Sequence, residues 1–230
     1  MKITTLSSTL ILTSILLSCN VPHKNEKVVE QPVTKKEKLP KNIIFMIGDG
    51  MGISQITAGM YRNGNKLNLE RCKVIGLIKT NAKKQLITDS AAGATAFATG
   101  KKTKNGMISQ ALEDSANFKT FVEYAEENNK ATGIVVTSTV THATPACFYA
   151  HYPKRSNANE AISSQFLDLD VEVLIGGGKH YFENRSDGRN LLTELSQKGY
   201  TVADSLTEDF KTEGITKLVN LYSPRHPGKR

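Results

Sequence analysis

The sequence is poor in several residue types that define special classes of protein. Its 230 residues include no tryptophan and only three cysteines, too few for a fold held together by disulfides. The 17 glycines and seven prolines are too few for a collagen-like or low-complexity chain. Hydrophobic residues at 39% and charged residues at 23% are typical of a globular chain, and the length suits one domain with a buried core.

Acidic residues are in the minority, because 22 Asp and Glu stand against 30 Lys and Arg, for a formal net charge of +8. Such an excess can mark a partner that carries phosphate groups, although a solvated lysine-rich surface is its more usual meaning. The basic residues are spread along the chain without interleaved aromatics. One cluster lies among Pro and Glu in a linker-like segment, at Lys24, Lys27, Lys35, Lys36, Lys38 and Lys41. We therefore expect no nucleic-acid partner.

The amino terminus has the pattern of an export signal. Lys2 precedes the apolar stretch from Leu6 to Leu17, and a small residue, Ser18, follows it. The stretch is too short to cross a membrane as a helix, which takes about 20 apolar residues. Leu16-Leu17-Ser18-Cys19 also resembles a bacterial lipobox, in which the chain is cut before the cysteine and lipid is attached to its sulfur.

The lipobox interpretation divides the amino-terminal region into two parts. Residues 1–18 are predicted to be a lipoprotein signal peptide, and residues 19–41 to be the lipidated Cys19 with a polar tether. The expected location is outside the cytoplasm, with the chain lipid-anchored to the cell envelope at the periplasmic face or the outer membrane. An ordinary secretory signal with a chance cysteine is the alternative.

Cys72 and Cys147 then form one disulfide or remain two buried, unpaired thiols, and we favour the unpaired state.

From Asn42 onward, apolar runs alternate with stretches of helical periodicity. Continuous apolar runs predict strands at 43–47, 74–78, 134–136 and 171–175. Helices are predicted at 53–61, from Ser90, at 118–128, at 157–167 with a capping box of Asn157 and Glu160, and near Leu191–Leu195. This alternation predicts an α/β fold with a mostly parallel central sheet flanked by helices. In such folds the chemistry lies beyond the carboxyl ends of the strands.

A carboxylate follows the first predicted strand, in the turn Gly48-Asp49-Gly50-Met51-Gly52. A dinucleotide-binding G-x-G-x-x-G would need glycine at position 53, where Ile53 stands, so that motif is excluded. Asp49 is then either an ordinary turn residue or a metal ligand.

A serine opens the small-residue run that follows Thr88 and Asp89. Good helix formers from Ala91 onward predict a helix whose free N–H groups and positive dipole end surround the hydroxyl of Ser90 with an anion site. Ser90 is either a helix cap or a nucleophile. Farther along, His142 and Thr144 lie two residues apart and can share a metal shell, and Arg155 can bind phosphate with its guanidinium fork.

These segments together resemble the alkaline phosphatase family. The resemblance extends in order from about residue 42 to residue 222, through the segments 42–52, 88–100, 142–155 and 175–182. It implies that Ser90 is the nucleophile that becomes phosphoserine, that Arg155 binds the phosphate, and that Asp89 supports Arg155.

The resemblance also implies a metal complement of two Zn²⁺ and one Mg²⁺. Asp49 corresponds to the family's ligand that bridges one zinc and the magnesium, and Thr144 to a magnesium ligand. His142 stands where the family has Asp or His, and reaches the magnesium through water. The implied substrates are small phosphate monoesters, and the full-length parent is a possible homodimer.

The remaining metal ligands of the family are not found in this sequence. None of its five histidines stands in a Glu-x4-Asp-x3-His arrangement, and there is no Asp-His pair. We therefore expect residues 42–230 to be the incomplete, amino-terminal portion of an alkaline phosphatase. The expected function is metal-dependent hydrolysis of phosphate monoesters. The alternative is an inactive surface lipoprotein that binds phosphate without turnover.

Overall fold

The computed structural model describes residues 40–228. The signal peptide, Cys19 and the tether up to residue 39 lie outside the described residues. The chain divides into two units after Met46, and residues 40–46 of the first unit form neither helix nor strand. Among the described residues, no helix combines the length and the apolar character needed to cross a membrane.

The second unit is built around a sheet of four strands, each of which is parallel to its neighbours. The strands are β1 (Gly133–Thr139), β2 (Val173–Gly177), β3 (Thr201–Ala203) and β4 (Leu218–Ser223), in the spatial order β1-β2-β4-β3. The predicted α/β class with a parallel central sheet is thereby confirmed.

In the described chain, three helices precede β1, two lie between β1 and β2, and two lie between β2 and β3, whereas no helix separates β3 from β4. The helices are α1 (Ile53–Arg62), α2 (Ser90–Thr99), α3 (Phe121–Glu127), α4 (Ala143–Ala146), α5 (Asn159–Gln165), α6 (His180–Glu183) and α7 (Leu191–Gln197), with 3₁₀ turns at Asn68–Arg71 and Phe166–Asp168.

The core lies where these helices pack on the central strands. Phe166, Phe182 and Leu195 are fully buried beside Leu174 of β2 and Val219 of β4. Each such side chain contributes about 1.5–3 kcal/mol through its removal from water. This burial holds the strand ends in place.

Two predicted strands are wrong. Residues 43–47 and 74–78 adopt no strand, and all of their side chains except that of Ile47 are exposed, to 88% for Ile44 and 99% for Leu77. A strand needs a neighbouring backbone to accept and donate its hydrogen bonds, and the four-stranded sheet of the described residues includes neither segment. Apolar composition alone does not supply that partner.

Helix ends differ from prediction where side chains bond elsewhere. The predicted capping box of Asn157 and Glu160 is wrong, because Ala158 occupies the cap position of α5 and the Glu160 carboxylate accepts hydrogen bonds from Ser186. A capping box is formed at α3, where Thr120 and Glu123 satisfy each other's backbone N–H groups.

The two cysteines in the described region are free thiols in different environments. Cys147 is buried, as expected, but Cys72 is exposed, which corrects the prediction that both are buried. Cys72 follows a 3₁₀ turn in which no residue is buried, so no core surrounds it.

Candidate active site

The carboxyl ends of three parallel strands meet at one edge of the sheet. Thr141, His142 and Thr144 follow β1, Gly178 follows β2, and Arg225 follows β4. Because neighbouring strands run in the same direction, the side chains after them gather on the same side of the fold. The candidate site lies at this edge.

Helix α2 begins with Ser90 as its first helical residue, and Asp89 is its cap. Asp89 Oδ1 accepts a hydrogen bond from Ala92 N at 2.9 Å, and Asp89 Oδ2 accepts another from Gly106 N at 3.0 Å. A cap of this kind stabilises a helix by about 0.5–2 kcal/mol. Since Asp89 does the capping, the Ser90 hydroxyl is available for other chemistry at the positive end of α2.

The small side chains of α2 anchor Ser90 to the core. Ala91 and Ala94 are buried, and the buried Thr95 hydroxyl accepts a hydrogen bond from Ser109 N at 3.0 Å. The Cys147 thiol donates to Ala91 O at 3.3 Å, which ties α2 to the end of α4. A rigid helix start holds the hydroxyl in one place, as a reacting group requires.

Asp49 brings together two residues that are distant in the sequence. Its Oδ1 accepts a hydrogen bond from Ser90 Oγ at 3.3 Å, and its Oδ2 accepts one from Thr144 Oγ1 at 2.7 Å. These pairs lie 41 and 95 residues apart along the chain. The carboxylate predicted as a metal ligand therefore lies beside the predicted nucleophile and the predicted magnesium ligand.

His142 lies at the edge of this group. Its Nδ1 is 3.9 Å from Asp49 Oδ2. Burial and the Arg155 guanidinium lower the pKa of His142; Asp49 opposes this shift, and His226 adds to it. His142 is therefore neutral at neutral pH, the form in which an imidazole nitrogen can accept a hydrogen bond or bind a metal ion.

One nitrogen of the Arg155 guanidinium makes no hydrogen bond within the described chain. Its Nη1 is buried without a hydrogen-bond partner in the described residues, 4.0 Å from Asp89 Oδ2. Gly106 holds both residues in place, since its N–H donates to Asp89 and its carbonyl accepts from Arg155 N at 2.8 Å. A buried guanidinium N–H without a partner is costly, so a bound anion at this position is favoured.

The donor atoms around Asp49 fit a magnesium ion better than a pair of zinc ions. A carboxylate and a hydroxyl oxygen suit Mg²⁺, which keeps several waters and needs one or two carboxylates. Among residues 40–228, no group of three or more His, Cys, Asp or Glu side chains is placed to hold a metal. Two zinc ions, which take about three or four protein ligands each, do not fit the described residues.

Several residues of the site were not predicted. Asn159, Tyr181, Arg225 and His226 line a cavity together with His142 and Arg155, and the rings of His142 and His226 are 6.3 Å apart. The short strand β4, which positions Arg225 and His226, was also missed. The nearly continuous apolar run from Leu218 to Tyr222, interrupted by Asn220, is the sequence feature that indicates it.

Comparisons with known proteins agree on one family. The alkaline phosphatase family model matches residues 40–226. Alkaline phosphatase 3 of Bacillus subtilis (strain 168) is 38% identical over 190 residues, which cover 75% of this chain and 40% of that protein. Alkaline phosphatase of Escherichia coli (strain K12) is 33% identical, with 77% of this chain and 45% of that protein covered.

Solved structures of alkaline phosphatases share the fold. The enzyme from the Antarctic bacterium TAB5 superposes with a TM-score of 0.73 at 40% identity, covering 77% of this chain and 52% of that one. A TAB5 variant with Mg bound in its M3 site superposes with the same TM-score at 39% identity, covering 77% of this chain and 51% of that one. The chain thus spans 40% to 52% of the length of these relatives.

Proposed function

Because this chain belongs to the alkaline phosphatase family, we propose that it takes part in metal-dependent hydrolysis of phosphate monoesters through a phosphoserine formed on Ser90. One observation carries the proposal. The Ser90 hydroxyl stands at the start of α2, hydrogen-bonded to Asp49, and the neighbouring Asp89 lies 4.0 Å from an Arg155 nitrogen that has no hydrogen-bond partner among the described residues.

The reaction consists of two displacements at phosphorus. Ser90 Oγ forms a bond to phosphorus while the bond from phosphorus to the ester oxygen breaks, and the alcohol leaves with a proton. Water then attacks the phosphoserine, which releases inorganic phosphate and returns a proton to Ser90. Such transfers depend on positioning and on neutralising the charge of the phosphoryl oxygens.

Arg155 and α2 are the protein groups that neutralise that charge. The Arg155 guanidinium can donate two parallel hydrogen bonds to phosphate oxygens. The positive end of α2 adds partial charge at the same place. Asp89 holds both, because it caps α2 and lies 4.0 Å from Arg155.

Asp49 prepares the nucleophile. A serine hydroxyl is a poor nucleophile at neutral pH and needs a group that eases loss of its proton. Asp49 Oδ1 accepts the hydrogen bond of this hydroxyl, and Thr144 orients the other carboxylate oxygen. Mg²⁺ held by Asp49 and Thr144, with His142 outside its direct ligands, would add positive charge beside the reacting phosphate. We include the family's two Zn²⁺ in the proposal, but we assign them no step because the described residues do not fit them.

The proposal extends to location and partners on the basis of the amino-terminal sequence. We propose a signal peptide at 1–18, a lipid on Cys19, a tether to residue 41 and a phosphatase-like domain from residue 42, with the chain anchored at the cell envelope. Small phosphate monoesters are the proposed substrates, and homodimerisation is proposed for the whole phosphatase. The Leu16–Cys19 motif and the polar composition of 20–41 support the anchor.

A second candidate function is phosphate binding without turnover. It is favoured by the absence, among the described residues, of a cluster of three metal-binding side chains. It keeps the Arg155 site and predicts that phosphate binds as tightly to a Ser90→Ala variant as to the unaltered chain.

Hydrolysis of an aryl phosphate at alkaline pH by the full chain, with Zn²⁺ and Mg²⁺ added, tests the enzyme. Ser90→Ala should lower kcat/KM on the order of 10³-fold, because the covalent intermediate cannot form. Acid quenching should trap one phosphoryl group on the peptide that contains Ser90. Ser196→Ala, an exposed serine on α7, is the matched control and should keep full activity. Turnover no greater than that of Ser90→Ala would contradict the enzyme and leave phosphate binding as the function.

A further inference from the structure

A cavity of about 360 Å³ opens at the carboxyl ends of the strands, beside Arg155. Its size is that of a small-molecule site. Arg155 belongs to its wall, so a phosphate bound by this guanidinium shares the cavity with any group bound farther along the wall.

The wall of this cavity includes two arginines, which are permanently charged side chains. Two arginines, Arg155 and Arg225, and two histidines, His142 and His226, contribute to it, and none of its lining residues in the described chain is acidic. A single phosphoryl group on Ser90 would be bound by Arg155 under the proposed function. It leaves Arg225 and His226, two exposed residues of the same lining, without an assigned role, and an arginine guanidinium can bind an anion with two parallel hydrogen bonds.

The segment that carries Arg225 is held by a defined set of backbone contacts. Ser223 O accepts hydrogen bonds from Gly178 N at 2.8 Å and Lys179 N at 3.0 Å, and Pro224 O accepts one from His180 N at 2.8 Å. These bonds join the end of β4 to the start of α6. Arg225 therefore stands on a fixed backbone, so that only its side chain loses conformational freedom when it binds a ligand.

Glycine permits the close approach of this segment to β2. A Cβ at Gly177 would lie 2.7 Å from Arg225 O and 2.7 Å from Pro227 Cδ. No side chain fits there without a shift of the backbone. The position of Arg225 is thus set by packing against the strand end itself.

We propose that Arg225, assisted by His226, forms a second anion subsite that selects phosphate monoesters whose alcohol portion carries another anionic group, a carboxylate or a second phosphate. Arg155 binds the phosphoryl group to be transferred, and Arg225 binds the second anion across the same cavity. This inference rests on the proposed function, because it assigns the substrate class of the Ser90 site.

Binding of matched phosphate esters to the full chain tests the subsite. The probes are ethyl phosphate, phosphoglycolate, which carries a carboxylate in place of the methyl group, and ethane-1,2-diyl bisphosphate, each measured by titration calorimetry with Mg²⁺ present. Phosphoglycolate or the bisphosphate should bind at least about tenfold more tightly than ethyl phosphate, as one added charge-assisted contact predicts. Which of the two binds more tightly distinguishes a carboxylate subsite from a phosphate subsite.

Substitution at Arg225 assigns the preference to this side chain. Arg225→Gln should remove the preference for the doubly anionic esters and leave ethyl phosphate binding within about twofold. Arg225→Lys keeps the charge without the fork and should retain part of the preference. Arg62→Gln removes the same charge from the exposed last turn of α1 and should change nothing, with circular dichroism as the check on folding.

The outcomes separate this inference from the proposed function. If ethyl phosphate binds through Arg155 but the doubly anionic esters gain nothing, or if Arg225→Gln keeps their advantage, the second subsite is overturned and the phosphatase proposal stands. If no ester binds to the folded chain, both proposals are overturned.

Discussion

At the scale of single residues, the site depends on which groups its two carboxylates, Asp49 and Asp89, bind. Asp89 caps α2, which leaves the Ser90 hydroxyl to Asp49. Arg155 keeps a buried N–H group without a partner in the described chain. The free hydrogen-bond donors of Arg155 and of the start of α2 therefore lie where a phosphoryl group would bind. A phosphate can accept hydrogen bonds from a guanidinium and from a helix start at the same time.

The two thiols of the described chain provide a test of packing around α2. Burial raises the pKa of Cys147 to about 12, so its thiol stays protonated and unreactive at neutral and moderately alkaline pH. Cys72 is exposed. Iodoacetamide at pH 8 should therefore modify Cys72 in the native chain and Cys147 only after denaturation, as peptide mass mapping would show. Native labelling of Cys147 at a rate close to that of Cys72 would contradict the packing described for α2 and α4.

At the scale of elements, the carboxyl ends of the strands and the helix starts supply the site. The parallel strands β1, β2 and β4 end at one edge of the sheet. Backbone hydrogen bonds join the residues that follow β2 to the end of β4 and the residue after it. At Gly177 the chain after β4 comes so near that a Cβ would lie 2.7 Å from the backbone of Arg225 and 2.7 Å from the ring of Pro227.

Gly177→Ala tests that contact. The added methyl group would lie 2.7 Å from Arg225 O, so we expect the free energy of unfolding to fall by about 1–3 kcal/mol and the second-anion preference to weaken. Denaturant unfolding measures the first effect and calorimetry the second. Gly76→Ala is the matched control, because nothing lies within 4 Å of a Cβ at that position. Equal stability of the two variants would show that the chain after β4 is not packed on β2.

At the scale of the whole molecule, the described chain has a buried core between α2 and β4 and an exposed apolar segment at 74–78. The core is continuous from α2 to β4. Val74, Ile75, Leu77 and Ile78 are exposed although their sequence is that of a buried strand. Large exposed apolar patches are uncommon on monomers and mark surfaces that associate with other apolar groups.

An apolar dye measures this exposure. The full chain should bind 1-anilinonaphthalene-8-sulfonate in its native state, and Ile75→Lys combined with Leu77→Lys should lower the fluorescence by about half without loss of far-UV circular dichroism, because the charges interrupt the patch. Thr207→Lys with Thr212→Lys adds the same charge at exposed polar positions and should leave the fluorescence unchanged. If both pairs act alike, the dye responds to net charge and not to the 74–78 segment.

Local patterns in the sequence were sufficient for the features that form locally. The helix that begins at Ser90, the strands of the 134–136 and 171–175 regions, and the α/β class were all predicted and found. These depend on propensities, caps and periodicities that act within a few residues. The family resemblance likewise rests on short motifs that can be compared without a structure.

Only the tertiary structure decided which segments pair and which side chains meet. Asp49, Ser90 and Thr144 converge across separations of 41 and 95 residues, and Arg225 reaches the same edge through a strand that was not predicted. The apolar runs at 43–47 and 74–78 form no strand, because strand pairing requires a partner that only the folded chain can supply. Local preference follows from each residue and its neighbours, whereas a site at the strand ends follows from contacts between distant parts of the chain, whose free energy no local pattern contains.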